Sequence, residues 1–198
     1  MGGEEAFGEL LAKRLRAILP AKYEIGTKRS LLYAVSFDDQ GDIQLGQNAE
    51  REPTRGGGTG FEQDLLLFER SSKGQTSVIP RVSVELKFGG VSTHDAIVYS
   101  EKARRIRTVY PYVRYGLVLG GLGHIPARTL RLGTEFDFVV ATPARPGPAY
   151  VAKLAKLIRV ELRLSGKLTA VLRGRTNIAV LHRKAEYKGS LYCSLTTV

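Results

Sequence analysis

Residues 60–90 read GFEQDLLLFERSSKGQTSVIPRVSVELKFGG, and this stretch predicts the centre of the fold. The first run, Phe61 to Glu69, is dense in leucine and phenylalanine. The second run, Val78 to Phe88, alternates apolar and polar side chains, a period that is typical of a β-strand. Because the segment between the runs is polar and contains glycine, the stretch predicts two β-strands joined by a turn.

The second strand carries an acid and a base on the same face. Glu85 and Lys87 are two residues apart, so they point the same way at a spacing of about 7 Å along the strand. Asp64 lies in the first strand beside leucines, where a lone carboxylate is costly to bury. If the strands pair, Asp64 comes close to Glu85, and a divalent cation is the usual way to stabilise two adjacent carboxylates.

The order Asp64, then Glu85-Leu86-Lys87 after a turn, resembles the D…(D/E)-x-K signature of the PD-(D/E)XK nucleases. The resemblance implies that Asp64 and Glu85 bind Mg²⁺, with Mn²⁺ as an alternative ion. It also implies that the carbonyl of Leu86 is a further metal ligand and that Lys87 orients the attacking water. An ion pair between Glu85 and Lys87 on a solvated strand face is the other interpretation of the same pattern.

The resemblance covers roughly residues 4 to 120 and implies the restriction-endonuclease-like fold, an α/β fold with a central mixed β-sheet flanked by helices. Gln63 stands where that family has a proline. Since the first helix of the family often lends an acid to the metal site, Glu4 is a further candidate ligand, with Glu9 behind it. Acids in the first turn of a helix also complement the helix dipole without any metal.

The overall charge predicts a polyanionic partner. Thirty lysines and arginines against 19 acids give a formal net charge of +11, which favours nucleic acid first and an acidic membrane surface second. The single cysteine, Cys193, excludes an intrachain disulfide. No apolar run is long enough to span a membrane, and Glu4 and Glu5 precede the first apolar residues, which is unlike a signal peptide. We therefore expect a cytoplasmic protein.

Three amphipathic helices are predicted, at residues 4–19, after Ser92 and at residues 149–164. Ser92 and Asp95 have the spacing of a capping box. Basic residues on the second and third helices, and on the irregular insertion after residue 120, are the expected DNA-phosphate contacts. They are Lys102, Arg104, Arg105, Arg128, Arg131, Lys153, Lys156, Arg159 and Arg163.

Further strands are predicted at residues 115–120 and 135–141, which makes the sheet mixed. The segments LTAVL and NIAVLHRK, in residues 168–184, read as a hairpin. The tail YCSLTTV is expected to add an edge strand or a dimer contact. Nothing in the chain indicates a second domain, so residues 1–198 are expected to form one.

The resemblance, together with the positive charge, implies a Mg²⁺-dependent DNA endonuclease that acts as a homodimer, most simply a type II restriction endonuclease. A repair, junction-resolving or other defence nuclease of the same fold would share every feature. Two alternatives lie outside this class. One is a nucleic-acid-binding protein without catalysis, and the other is a small α/β protein for an acidic protein partner.

Overall fold

The strands at the centre of the sequence pair as antiparallel neighbours in a mixed β-sheet. The computed structural model describes residues 3–34, 36–37, 43–44, 60–70 and 78–174. Within them the helices are α1 (Gly3–Arg16), α2 (Thr93–Val109), α3 (Ala127–Leu132) and α4 (Pro148–Leu172). The strands are β1 (Glu24–Leu32), β2 (Ser36–Phe37), β3 (Ile43–Gln44), β4 (Gly60–Arg70), β5 (Val78–Phe88), β6 (Arg114–Gly120) and β7 (Phe138–Thr142).

The main sheet has five strands in the order β1-β4-β5-β6-β7. The β1–β4 and β4–β5 pairs are antiparallel, whereas the β5–β6 and β6–β7 pairs are parallel. β2 and β3 form a separate two-stranded sheet. The predicted α/β class with a mixed central sheet flanked by helices is confirmed.

Alternation along β5 divides the core between the two faces of the sheet. Val82, Val84 and Leu86 are buried with α1 and α4 on one face. Ser83, Glu85 and Lys87 take the other face, where α2 and α3 pack. The predicted sharing of one face by Glu85 and Lys87 is confirmed.

The helix after β5 begins as predicted. Ser92 is the N-cap of α2, its hydroxyl accepts a hydrogen bond from the backbone N–H of Asp95, and the Asp95 carboxylate accepts from the backbone N–H of Ser92. A capping box of this kind satisfies two backbone donors that the first helical turn leaves unpaired. It fixes where α2 starts, directly after the strand that carries the motif.

The prediction of a strand at residues 168–172 is wrong, because α4 continues through them to Leu172. The buried stripe of this helix extends through Ser165 and Thr169, which are small and polar, so an apolar periodicity does not reveal it. Arg81 of β5 donates to the Thr169 hydroxyl at 2.7 Å and so holds this last part of α4 on the sheet. The rest of the predicted hairpin and the tail lie outside the described residues.

A chain of ion pairs joins both layers of helices to the start of β6. Asp137 accepts from Arg107 of α2 at 3.1 Å and from Arg114 of β6 at 2.9 Å. Arg114 also contacts Glu161 of α4 at 2.6 Å, and Arg107 contacts Glu135 at 2.9 Å. These buried or half-buried charges are all paired, as burial requires.

The insertion after β6, predicted to be irregular, contains the short helix α3. In the described part of the chain, no helix is long and apolar enough to cross a membrane.

Gly116, in the middle of β6, provides a test of this packing. A Cβ placed there would lie 2.0 Å from the ring of Phe138, so Gly116→Ala is expected to lower the free energy of unfolding by about 1–3 kcal/mol through overpacking. Gly123→Ala is the matched control, since nothing lies within 4 Å of a Cβ at Gly123. Urea denaturation measures both. Equal stability of the two variants would contradict the β6–β7 packing described here.

Candidate functional site

The two motif strands, β4 and β5, separate next to Asp64 and Glu85. The ladder between β4 and β5 ends at the Leu65–Val84 pair, while β5 remains paired with β6 as far as Phe88 and Gly120. Residues 60–63 of β4 pair with β1. We call the space between residues 60–64 of β4 and 85–88 of β5 the strand gap. Asp64 and Glu85 follow directly on the last ladder pair, so the register brings these two positions side by side.

Both β1 and β4 turn over where the strand gap opens, which means that their side chains exchange the two faces of the sheet there. In a regular strand, residues an even number apart face the same side. Leu65 nevertheless belongs to the core under α1 and α4, whereas Phe61 packs in the core under α2. Ile25 and Leu31 of β1 show the same reversal. Lys28, between them, has a φ of 55°, a left-handed conformation that a residue with a side chain adopts at a cost.

The carboxylate of Asp64 fills the strand gap. Its Oδ2 accepts a hydrogen bond from the backbone N–H of Leu86 at 2.9 Å, in place of a backbone partner from β4. Its Oδ1 lies 2.9 Å from the Lys28 ammonium, and this hydrogen bond is the main reason that the pKa of Lys28 is raised. Because the N–H and C=O of one strand residue point to the same side, the carbonyl of Leu86 also faces the strand gap.

A pocket opens beside Asp64 on the α1 side of the sheet. Its volume is about 370 Å³, and it is lined by Glu4, Glu5, Gly8, Glu9, Thr27, Lys28, Asp64 and Leu86. Glu4 reaches beyond the pocket, because its Oε2 accepts from the backbone N–H of Phe88 at 3.3 Å and lies 3.7 Å from the Lys87 ammonium. The predicted candidates Glu4 and Glu9 therefore share a pocket with Asp64 and Leu86.

Glu85 points to the opposite side of the sheet, toward α2. Its side chain is 3% exposed, and its Oε1 accepts hydrogen bonds from Lys102 Nζ at 2.6 Å and from the Tyr115 hydroxyl at 2.8 Å. Burial raises the pKa of Glu85, and the nearby charge of Asp64 adds to the rise, while Lys102 opposes it. Glu85 is thus within electrostatic range of Asp64, but it does not line the pocket that Asp64 lines.

Lys87 lies between the first two helices. Its ammonium is 3.7 Å from Glu4 of α1, 3.9 Å from Asp95 of α2 and 5.5 Å above the ring of Tyr99. Burial lowers the pKa of Lys87, but Tyr99, Glu4 and Asp95 more than offset that effect, so the pKa is raised overall. Lys87 is therefore a cation at neutral pH, suited to donating hydrogen bonds rather than to removing protons.

No three acidic, histidine or cysteine side chains converge as a metal-ligand group in the part of the chain that the structure describes. Glu4 is engaged by Lys87 and Phe88, Asp64 by Lys28, and Glu85 by Lys102. The structure thus brings Asp64, Leu86, Glu4 and Glu9 to one pocket and leaves Glu85 on the other side of the sheet. It pairs Asp64, Glu85 and Glu4 with ammonium groups.

The predicted phosphate-contacting residues occupy different environments. Lys102 is inside the protein, with its side chain 12% exposed. Arg104 and Arg105 are exposed, but both pair with Glu101, and these contacts lower the pKa of that carboxyl to about 2. Arg128 and Arg131 are exposed on α3. An exposed row runs along α4 and comprises Lys153, Lys156, Arg159 and Arg163.

Two residues of this region were not predicted from the sequence. Lys28 faces Asp64 from a left-handed backbone conformation. The local sequence TKR contains no glycine or asparagine that would predict this conformation. Tyr115 supplies a buried hydroxyl to Glu85. The signal for Tyr115 was a tyrosine at the head of a fully buried strand, since a buried tyrosine hydroxyl needs a partner.

Comparison of the sequence with protein-family models finds no match, and comparison with curated proteins finds none either.

The conformation of Lys28 gives a prediction with an internal control. Lys28→Gly and Lys28→Ala both remove the ion pair with Asp64, but only glycine tolerates a φ of 55° without strain. We expect Lys28→Gly to be more stable than Lys28→Ala by about 1 kcal/mol in urea denaturation. At Lys13, an exposed position inside α1, the order should reverse, because alanine is the better helix former. The same order at both sites would contradict the turn-over of β1.

Proposed function

We propose that this protein is a metal-dependent nuclease that hydrolyses DNA phosphodiester bonds with Mg²⁺. The observation that carries the proposal is the grouping around the strand gap. Asp64 and the Leu86 peptide face one another across it, and Glu85 and Lys87 flank Leu86 on β5. We further propose the restriction-endonuclease-like fold. It is supported by the order of a helix, three antiparallel strands of the main sheet, a helix and a parallel strand, with the motif on the second and third of the antiparallel strands.

The donors around the strand gap fit a hard divalent cation. Mg²⁺ takes oxygen ligands, and the carboxylate of Asp64, the carbonyl of Leu86 and the carboxylate of Glu85 are all oxygen donors. The ammonium groups of Lys28 and Lys102 already place positive charge next to Asp64 and Glu85. A bound cation would take the place of Lys28 at Asp64. Glu85 would reach it from the α2 side of the strand gap through Oε2, the oxygen to which neither Lys102 nor Tyr115 donates.

When bound, Mg²⁺ would lower the pKa of a coordinated water and offset the charge that develops on the scissile phosphate. Lys87 would hold that water by donating a hydrogen bond to it, a role for which its positive charge suits it. Glu4 and Asp95 would limit the positions that the ammonium can adopt. Positioning of this kind is a large part of phosphoryl-transfer catalysis.

The exposed basic row on α4 is the best candidate for binding the DNA backbone. Lys156 and Arg163 lie two helical turns apart on one face, about 10 Å along the axis, and both are exposed. Arg104 and Arg105 are less favourable, because Glu101 pairs with them. A site that cuts one strand would need a second copy of the chain to cut a duplex, so we propose a homodimer. A type II restriction endonuclease acting in the cytoplasm is the simplest form, beside a repair, junction-resolving or other defence nuclease.

One observation favours a second candidate function, nucleic-acid binding without catalysis. Both motif carboxylates have a lysine partner within hydrogen-bonding distance, so their burial is stable without any metal. Under this alternative, DNA affinity is insensitive to chelator and no cleavage occurs.

The catalytic proposal is tested with supercoiled and linear plasmid, in Mg²⁺ and in excess chelator. Wild-type protein should nick or cut DNA only with the metal. Asp64→Asn and Lys87→Ala should lower the cleavage rate on the order of 10²-fold or more, because each removes a group placed at the reacting phosphate. Agarose electrophoresis of time points measures the rates.

Lys13→Ala is the control for the loss of a lysine away from the strand gap, and circular dichroism confirms that each variant is folded. Cleavage that survives chelator, or that persists undiminished in Asp64→Asn, would exclude the proposed site. A ratio of linear to nicked product that does not depend on protein concentration would exclude assembly of a dimer during the assay.

The DNA-binding surface is tested by the salt dependence of binding. Each phosphate contact contributes about 0.9 to the slope of log K against log salt concentration. The double variant Lys156→Ala/Arg163→Ala should therefore reduce the magnitude of the slope by about 2. Arg104→Ala/Arg105→Ala should change it less, because Glu101 already neutralises part of that charge. Fluorescence anisotropy with a labelled duplex measures the slopes, and the opposite ranking would assign binding to α2.

A further inference from the structure

Lys102 lies in the middle of α2 with its amine directed into the protein. The amine donates to Oε1 of Glu85 at 2.6 Å and to the backbone carbonyl of Glu62, and it lies 6.0 Å from the centre of the Phe61 ring. With the side chain 12% exposed, the ammonium is largely withdrawn from solvent. A phosphate of DNA bound at the surface would not meet it there.

The two acceptors of Lys102 belong to different sides of the strand gap. Glu62 lies in the part of β4 that has left β5, whereas Glu85 lies on β5 just beyond the last ladder pair. On the α1 side of the sheet, Asp64 spans the same gap by accepting from the N–H of Leu86. Lys102 therefore bridges, on the α2 side, two strands that no longer share a backbone ladder.

We propose that Lys102 is a positioning residue that clips β4 to β5 across the strand gap and so sets the separation of the metal-binding oxygens. The inference rests on the proposed function and goes beyond it, because it gives Lys102 a role through Glu85 and Glu62 rather than through DNA. The clip holds Oε1 of Glu85, the same oxygen that accepts from Tyr115, and donates no hydrogen bond to Oε2. Partners of a metal ligand commonly change metal affinity 10–100-fold when they are removed.

The sign of the effect separates this role from simple electrostatics. Removal of a positive charge next to a cation site should strengthen metal binding if charge alone matters. Removal of the clip should weaken metal binding instead, since Glu85 would keep only its contact with Tyr115 and β4 would lose its tether to β5 on the α2 side. The electrostatic explanation therefore predicts tighter metal binding after removal of the Lys102 amine, and the positioning role predicts weaker binding.

The experiment measures Mn²⁺ binding to the protein without DNA, by titration followed with electron paramagnetic resonance. Lys102→Met keeps the apolar stem and loses the amine, and it should weaken Mn²⁺ binding by about 10-fold or more. Lys102→Arg keeps a buried cation with donors for both acceptors and should restore most of the affinity. Lys13→Met, an exposed change of the same type on α1, should have no effect.

Amide hydrogen exchange, measured by mass spectrometry without metal, reports on the clip independently. Exchange in peptides that cover residues 60–66 should rise about 10-fold in Lys102→Met and should not change in Lys13→Met, because a lost tether allows local opening. If Lys102→Met does not fold, Lys102→Gln replaces it, since a shorter, neutral side chain should not reach both acceptors.

The outcomes are distinct. Unchanged or tighter Mn²⁺ binding in Lys102→Met, while the wild type binds Mn²⁺, overturns the inference and leaves the proposed nuclease standing. Absence of Mn²⁺ binding by the wild type overturns the proposed function and the metal-positioning role together. In that case, faster exchange at residues 60–66 would still establish Lys102 as a structural tether.

Discussion

The structure depends on how a sheet can open in its interior without leaving backbone groups unpaired. Buried N–H and C=O groups need hydrogen-bond partners, and β4 stops supplying them to β5 beyond the Leu65–Val84 pair. Two carboxylates take over this task for the N–H groups, since Asp64 accepts from the N–H of Leu86 and Glu4 from the N–H of Phe88. The acids therefore sit at the strand gap for a structural reason, and the same placement puts oxygen donors next to an accessible pocket.

The negative charge of carboxylates inside the protein must in turn be offset by positive charge. Lys28 forms an ion pair with Asp64 on one side of the sheet, and Lys102 forms one with Glu85 on the other. Only the second pair is buried, and removal of Lys102 would be costly because it would leave the Glu85 charge uncompensated. Lys28 reaches its position by adopting a left-handed backbone. Strained residues of this kind concentrate where function constrains geometry more than stability does.

The parts of the fold that the sequence predicts well are those with a local cause. The alternation from Val82 to Lys87 reports directly which side chains share a face, and the Ser92 and Asp95 pair reports where α2 begins. The last turns of α4 were missed because Ser165 and Thr169 continue the buried stripe without apolar side chains.

Prediction of the site was limited by long-range geometry. The neighbouring positions of Asp64 and Glu85 follow from strand pairing. The reversal of faces at Asp64 and Lys28 involves two strands together, and neither strand reveals it alone. Lys102 illustrates the same limit. Its positive charge predicted a surface position in contact with DNA, whereas its position on α2 opposite Glu85 directs the side chain inward.

The ion pairs around Asp137 have a consequence for how this architecture can diversify. They fasten α2, β6 and α4 together at the end of the parallel strands remote from Phe88 and Gly120. The contacts that hold the scaffold together and the strand gap thus lie at separate ends of the same strands. Substitutions around the opening can therefore accumulate in related chains without disturbing this ion-pair network.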